Sequence, residues 1–227
     1  MKPFLLLFTF FCHLLGVAQE MTPVLSVRYQ TYQRETEEAS FPSTIVRQLD
    51  IFTDGKSAFY SYCEKVKLNL PDGGTYLLDE RESYAKRPPY CVMKNYPSEG
   101  MLTYTGSIHT FRLKYEESMP MMDWDMIEAD SVVCGYQVQK ARTTFRGRTW
   151  VAWYAVDLPY GEGPWKLCGL PGVILKAYDT KGDFSFSAFK IGTNMTQPLD
   201  ANPFRTAGYT KTTGRQFEKE LKEYYAD

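Results

Sequence analysis

Histidine is nearly absent from this chain, with only His13 and His109 in 227 residues. Removal of an N-terminal leader leaves His109 alone, so a two-histidine zinc site or a histidine-based metal cluster has no material. The Gly-x-Ser-x-Gly, His-Glu-x-x-His and phosphate-loop patterns are missing as well, which removes the usual signatures of serine hydrolases, zinc proteases and nucleotide binders. Charge of one sign is also lacking: 26 basic residues face 27 acidic ones. No field of either sign attracts nucleic acid or an anionic membrane surface. After the first 15 residues no run is long and apolar enough to span a membrane, and neither repeats nor low-complexity segments occur. No metal, cofactor or catalytic constellation is therefore expected.

The start of the chain is informative. Lys2 precedes an apolar run from Phe4 to Leu15, and Gly16-Val17-Ala18 offers small residues ahead of a cut before Gln19. This pattern predicts a secretory signal peptide over 1–18 and a single domain over 19–227. Cys12 lies inside the apolar run and not after a lipobox, so an exported protein of the periplasm, outer membrane or cell surface is expected, without a lipid anchor. Aromatics are frequent, with 17 Tyr and 14 Phe, as β-sheets prefer.

The dominant period is two. Leu25, Val27, Tyr29 and Thr31 alternate with polar or small neighbours, as do Ala58, Tyr60 and Tyr62 after the Asp54-Gly55 turn, and Phe111, Leu113 and Tyr115. Gly135 to Phe145 leads through Arg146-Gly147-Arg148 into Trp150 to Val156 and reads as a hairpin. Val173 to Asp179, a turn at Lys181-Gly182, and Phe184, Phe186 and Ala188 read as another. Helical spacing is clear only at the end, where Phe217, Leu221, Tyr224 and Tyr225 form one stripe behind a Thr213…Gln216 capping pattern. A weaker helix is expected within 79–86. The fold class is mainly β (α+β): a single curved antiparallel sheet or half-barrel of hairpins with a C-terminal amphipathic helix.

Four cysteines remain after the leader: Cys63, Cys91, Cys134 and Cys168. In an oxidising compartment they offer two bridges. Sequence order suggests Cys63 with Cys91 and Cys134 with Cys168, although three connectivities and free thiols all stay open. The acidic residues Asp123, Asp125, Glu128 and Asp130 are spaced as one solvated strand face, and they are the acid-base groups that an enzyme reading would use. A Cys-His pair of His109 with Cys91 or Cys134 has little to set it apart from a bystander histidine. Met119, Met121, Met122 and Met126 beside Trp124 are soft ligands suited to Cu(I), or simply gap-filling core methionines.

The densest stretch is Gly163-Pro164-Trp165-Lys166-Leu167-Cys168-Gly169-Leu170-Pro171-Gly172-Val173-Ile174. Pro171 presets the second position of a turn, and Gly172 is expected to supply a positive φ after it, as in a type II turn. Trp165 and Leu170 are large apolar residues with reason to be buried. This stretch resembles the GLPGLI family of secreted Bacteroidetes proteins, with Val173 where the family has Leu. The order Trp124, Gly135-Tyr136, Lys140-Ala141, Gly147-Arg148, Ala152-Trp153-Tyr154, Leu158-Pro159 resembles the family too. The resemblance implies an envelope protein without an assigned activity, and a half-barrel like those of periplasmic lipoprotein carriers. Asp130-Ser131-Val132 matches the short Asp-Ser/Thr-aliphatic pattern that Bacteroidetes use for O-glycosylation, which would fall on Ser131, or is an ordinary strand entry. A non-catalytic module holding an apolar ligand or an outer-membrane protein partner is the expected function. A hydrolase-like enzyme with an unrecognised carboxylate site and a Met-rich Cu(I)-binding periplasmic protein are the alternatives.

Overall fold

The computed structural model describes residues 21–34, 43–61, 65–69, 75–79, 90–193, 195, 199 and 202–226. The expected leader over 1–18, Cys63 and residues 80–86, where a weaker helix is expected, lie outside these. The described residues are mostly β: an open twelve-stranded sheet, a separate two-stranded hairpin and a short C-terminal helix.

Two runs of antiparallel hairpins build the sheet. The first comprises β1 (Leu25–Gln33), β2 (Ser43–Ile51), β3 (Ser57–Ser61), β6 (Tyr90–Lys94), β7 (Met101–Ile108) and β8 (Phe111–Ser118). The second comprises β9 (Asp125–Val133), β10 (Tyr136–Phe145), β11 (Arg148–Ala155), β12 (Val173–Asp179) and β13 (Phe184–Thr193). A separate two-stranded hairpin of β4 (Lys65–Asn69) and β5 (Thr75–Asp79) is inserted between β3 and β6. The runs join where β1 pairs antiparallel with β13. The short β14 (Thr210–Lys211) adds parallel to β8 at one end, and β9 forms the other edge.

The turns show why these residues pair. Cys134 and Gly135 sit at φ 51° and 83°, and Arg146 and Gly147 at φ 50° and 73°. Two consecutive positive φ values match the right-handed twist of the flanking strands. The expected 135–156 hairpin thus forms with Phe145 opposite Arg148. Helix α1 (Gly214–Ala226) starts where Thr213 Oγ1 accepts a bond from the Gln216 amide at 3.2 Å. Its Phe217 packs on Tyr104 and Tyr115 with ring centroids 5.1 and 5.7 Å away. Gly106 makes room for it: a Cβ there would lie 2.8 Å from the Phe217 ring.

The main core gathers Leu25, Val27, Tyr29, Leu49, Phe59, Val92, Trp150, Ile174 and Phe186 with neighbours from both runs. Each fully buried side chain of this size contributes about 1.5–3 kcal/mol. Ala58 and Met93 alternate with Phe59 and Val92, and pack on the reverse face with Phe52 and Phe204.

Two expectations need correction. Among the described residues there is no disulfide: Cys91, Cys134 and Cys168 are free thiols. Cys134 sits in the β9–β10 turn with its thiol bonded to the Ala188 carbonyl, whereas the Cys168 thiol meets the Pro120 carbonyl. Different neighbours hold the two sulfurs. The second correction concerns Gly172, whose φ is not in the left-handed region; a Cβ there would lie 2.0 Å from the Ala155 carbonyl oxygen. Glycine is required by close approach of backbone, not by dihedral freedom.

This difference is measurable. Gly172→Ala is expected to lose about 2–3 kcal/mol or more through overpacking. Gly147→Ala, left-handed but with nothing within 4 Å of its Cβ, is expected to lose only about 1–2 kcal/mol. Urea unfolding of both variants checks this, and equal losses would contradict the steric account.

Candidate functional site

The segment 156–172 joining β11 to β12 folds into a packed loop that carries the motif. Gly169 N–H donates to the Gly161 carbonyl at 2.8 Å, Ile174 N–H to Glu162 at 2.9 Å and Val173 N–H to Leu158 at 3.0 Å. Leu158, Leu167 and Leu170 are buried, and Trp124 Nε1 bonds the Cys168 carbonyl at 2.9 Å.

Two buried lysines clamp this loop. Lys94, on β6 and fully buried, donates to Glu162 Oε2 at 2.9 Å, to the Gly163 carbonyl at 2.8 Å and to the Leu167 carbonyl at 2.9 Å. All three ammonium hydrogens are thereby used. Ser57 adds a bond to the same Glu162 oxygen at 2.8 Å. Lys166, from the loop itself, donates to the Tyr115 hydroxyl at 2.9 Å and to Glu117 Oε1 at 2.5 Å. Burial holds its ammonium below the usual lysine range, against the pull of Glu117. Glu117 also receives Arg146, which reaches Glu218 of α1 at 2.8 Å. Loop, β8, hairpin turn and helix are tied together by these charges.

Between the clamps, Trp165 adopts φ 52°. A bulky residue in the left-handed region costs of order 1–3 kcal/mol and persists only where its surroundings hold it. Its indole forms part of the wall of a cavity of about 590 Å³. Phe145, Trp150, Phe184 and Phe186 continue that wall, Tyr90 and Tyr104 face it from β6 and β7, and Phe217 and Leu221 of α1 close one side. Many of these rings touch: Tyr90 stacks on Tyr104 at 5.3 Å, and Trp150 on Phe186 at 6.1 Å. Charged groups border the space in Arg47, Arg146, Arg148, Glu218 and Lys222. Arg148 is bonded to Asp179 at 2.6 Å and Asp183 at 2.7 Å. An aromatic chamber of this size, with charged groups gathered at its border, is large enough to take a small molecule.

The motif residues therefore divide in role. Trp165 lines the cavity, Gly163 and Leu167 hold Lys94, and Ile174 accepts the Tyr29 hydroxyl at 2.7 Å. Pro164 also accepts a bond, from the Leu167 amide. Gly169 turns at φ 90°, Leu170 and Val173 are buried, and Pro171 is exposed. The other candidates do not join this site. Asp123, Asp125, Glu128 and Asp130 are exposed along or next to edge strand β9, where Asp125 pairs with Arg142 at 3.0 Å. Ser131 is exposed on the same strand. Met121 projects into solvent while Met119 and Met122 pack on the core, so these thioethers point apart. His109 occupies the β7–β8 turn against Tyr224. Among the described residues no group of three or more His, Cys, Asp or Glu is placed to hold a metal. No described helix is long and apolar enough to cross a membrane.

Sequence reasoning missed Arg47 and Asp50, which share the mixed strand β2, and Lys94, which ends the largely apolar strand β6. Asp50 lies in a separate buried cluster with Ser26, Gln48 at 2.9 Å and Tyr60 at 2.5 Å. Burial raises its carboxyl above the usual range despite these bonds. Burial, with help from Asp50, also pushes the nearby Cys91 thiol up to about 12. That thiol stays protonated and inert.

A family model described as a protein of unknown function (Porph_ging) matches residues 104–176, a span that includes the motif up to Lys176. The match carries that description and not the GLPGLI name. No curated protein matches the chain in sequence. In structure the chain is similar to PNGF-II in two crystal forms. The C2 form gives a TM-score of 0.58 at 16% identity over 88% of this chain, and the P21 form gives 0.59 at 16% over 89%. The chain spans about a third of the length of PNGF-II, 33% and 34% in the two forms. The likeness establishes a shared β-rich fold.

Two measurements test the buried charges. Lys94→Met leaves the Glu162 carboxylate without its counter-charge, with only Ser57 donating to it, and two carbonyls without their donor, and is expected to lose about 3–5 kcal/mol in urea unfolding. A loss under about 1 kcal/mol would remove Lys94 from its structural role. Asp50, whose folded carboxyl titrates above its unfolded value, contributes stability that is complete below about pH 4 and is lost as pH rises through the raised value. The stability of Asp50→Asn relative to the parent is therefore expected to increase between about pH 4 and pH 7. A difference independent of pH would overturn this.

Proposed function

We propose that this chain is a non-catalytic binding module of the cell envelope that holds a small apolar ligand in the cavity under α1. The observation that carries this reading is the aromatic wall itself: Tyr90, Tyr104, Trp150, Trp165, Phe186 and Phe217 surround about 590 Å³. A core closed for stability alone would fill such a space with side chains. The strained backbone of Trp165 supports the same site, because the clamped loop holds one ring in position at a cost in free energy. Export rests on the leader-like residues 1–18 and on the GLPGLI resemblance.

The same reading includes a curled, half-barrel-like sheet. Arg146, in the β10–β11 turn, reaches Glu117 of β8 at 2.8 Å, although β8 and β10 are nine strands apart in the sheet order. In a flat sheet this separation is roughly 40 Å. A wrapped sheet brings the two ends together around α1 and the cavity. The carboxylate-enzyme alternative finds less support, because the acidic residues around β9 lie exposed and away from this chamber.

The neutral fluorophore 1-aminoanthracene tests the site. The parent protein is expected to bind it with enhanced fluorescence, and Leu221→Trp, which fills the cavity from the helix side, is expected to weaken binding about tenfold or more. No enhancement with the parent, or equal binding by the variant, would refute the cavity as the site.

A further inference from the structure

Most of the guanidinium groups bordering the cavity are already neutralised. Arg146 is shared between Glu117 and Glu218, and Arg148 between Asp179 and Asp183. Arg47 differs. It projects from β2 into the cavity wall and is only 4% exposed. Its Nη1 donates to Ser61 Oγ at 2.9 Å, and its guanidinium lies 3.9 Å from the centroid of the Tyr90 ring. Among the described residues no carboxylate pairs with it. No buried side-chain nitrogen lacks a hydrogen-bond partner, so its remaining N–H groups open into the cavity that it lines. A charge removed from water without a counter-ion is costly, and buried cations are ordinarily paired.

We propose that Arg47 receives the anionic end of the cavity's ligand, which makes that ligand a hydrophobic carboxylate; this rests on the cavity being a ligand site. The planar guanidinium fork matches a carboxylate with two parallel N–H···O bonds. Stacking on Tyr90 fixes the plane of the fork before anything binds. The Trp150 and Phe186 rings of the opposite run, 26° from parallel, supply faces for a flat apolar body. The volume suits a free small acid.

Isothermal titration with 2-naphthoate and its neutral isostere 2-naphthamide tests the assignment. The parent protein is expected to bind the naphthoate about tenfold or more tightly than the amide. Arg47→Met is expected to level the two, while Arg148→Met keeps the preference. Arg47→Lys, which retains a charge in the wall and is the variant of choice if the Met form does not fold, is expected to weaken naphthoate several-fold and leave the amide unchanged. Equal binding of both compounds by the parent overturns the role of Arg47 and leaves the cavity reading standing. Binding of neither overturns both. A preference lost in Arg148→Met and kept in the Arg47 variants overturns the assignment in favour of Arg148.

Discussion

The Lys94 ammonium is the constraint on which the arrangement turns. It is completely removed from water, so each of its three hydrogens needs an acceptor, and all three acceptors come from one loop of the opposite run of strands. Such a pair adds little to net stability, because desolvation offsets most of the attraction. Its effect is geometric. With Glu162, Gly163 and Leu167 each tied to one nitrogen, the residues between them have one conformation available. Lys166 then faces Tyr115 and Glu117, and Trp165 faces the cavity.

The dense motif thus combines architecture and recognition. Two of its glycines serve close approach: Gly163 lies against Ile174 and the Leu167 carbonyl, and Gly172 against the Ala155 carbonyl. Its tryptophan forms part of the cavity wall. The charge network running from Lys166 through Glu117 and Arg146 to Glu218 anchors α1 over the same space. Any movement of the helix is felt by the loop, and any movement of the loop by the helix.

The hairpins were legible because their information is local. Arg146-Gly147, Lys181-Gly182 and the alternation on either side specify turn and register within a few residues, and Thr213 with Gln216 marks the helix start in the same way. The motif was legible as a rigid corner, but its cause was misread. The contact that demands Gly172 comes from Ala155, seventeen residues earlier and across the loop. Lys94 and Asp50 carried only the weak signal of a charge beside apolar residues, and Arg47, next to Gln48 on a mixed strand, carried none. Their partners, or the absence of one, depend on which strands the topology brings together. Among the alternatives that the cysteines left open, the described ones take the free-thiol form, and the sequence could not choose it because even number and compartment say nothing about distance.

The pairing of β1 with β13 has a consequence for how the sheet assembles. The first strand of the sheet in sequence occupies its middle, bonded on one side to the neighbouring β2 and on the other to the last long strand of the chain. In a chain made from its N-terminus, the β1–β8 run presents an open edge at Leu25–Gln33 until Phe184–Thr193 has emerged. Closure of a loop that large is slow. An unpaired strand with one apolar face, as this one has, is where a foreign strand would add, so the time between the first run and the second is the period in which this protein most needs protection from association.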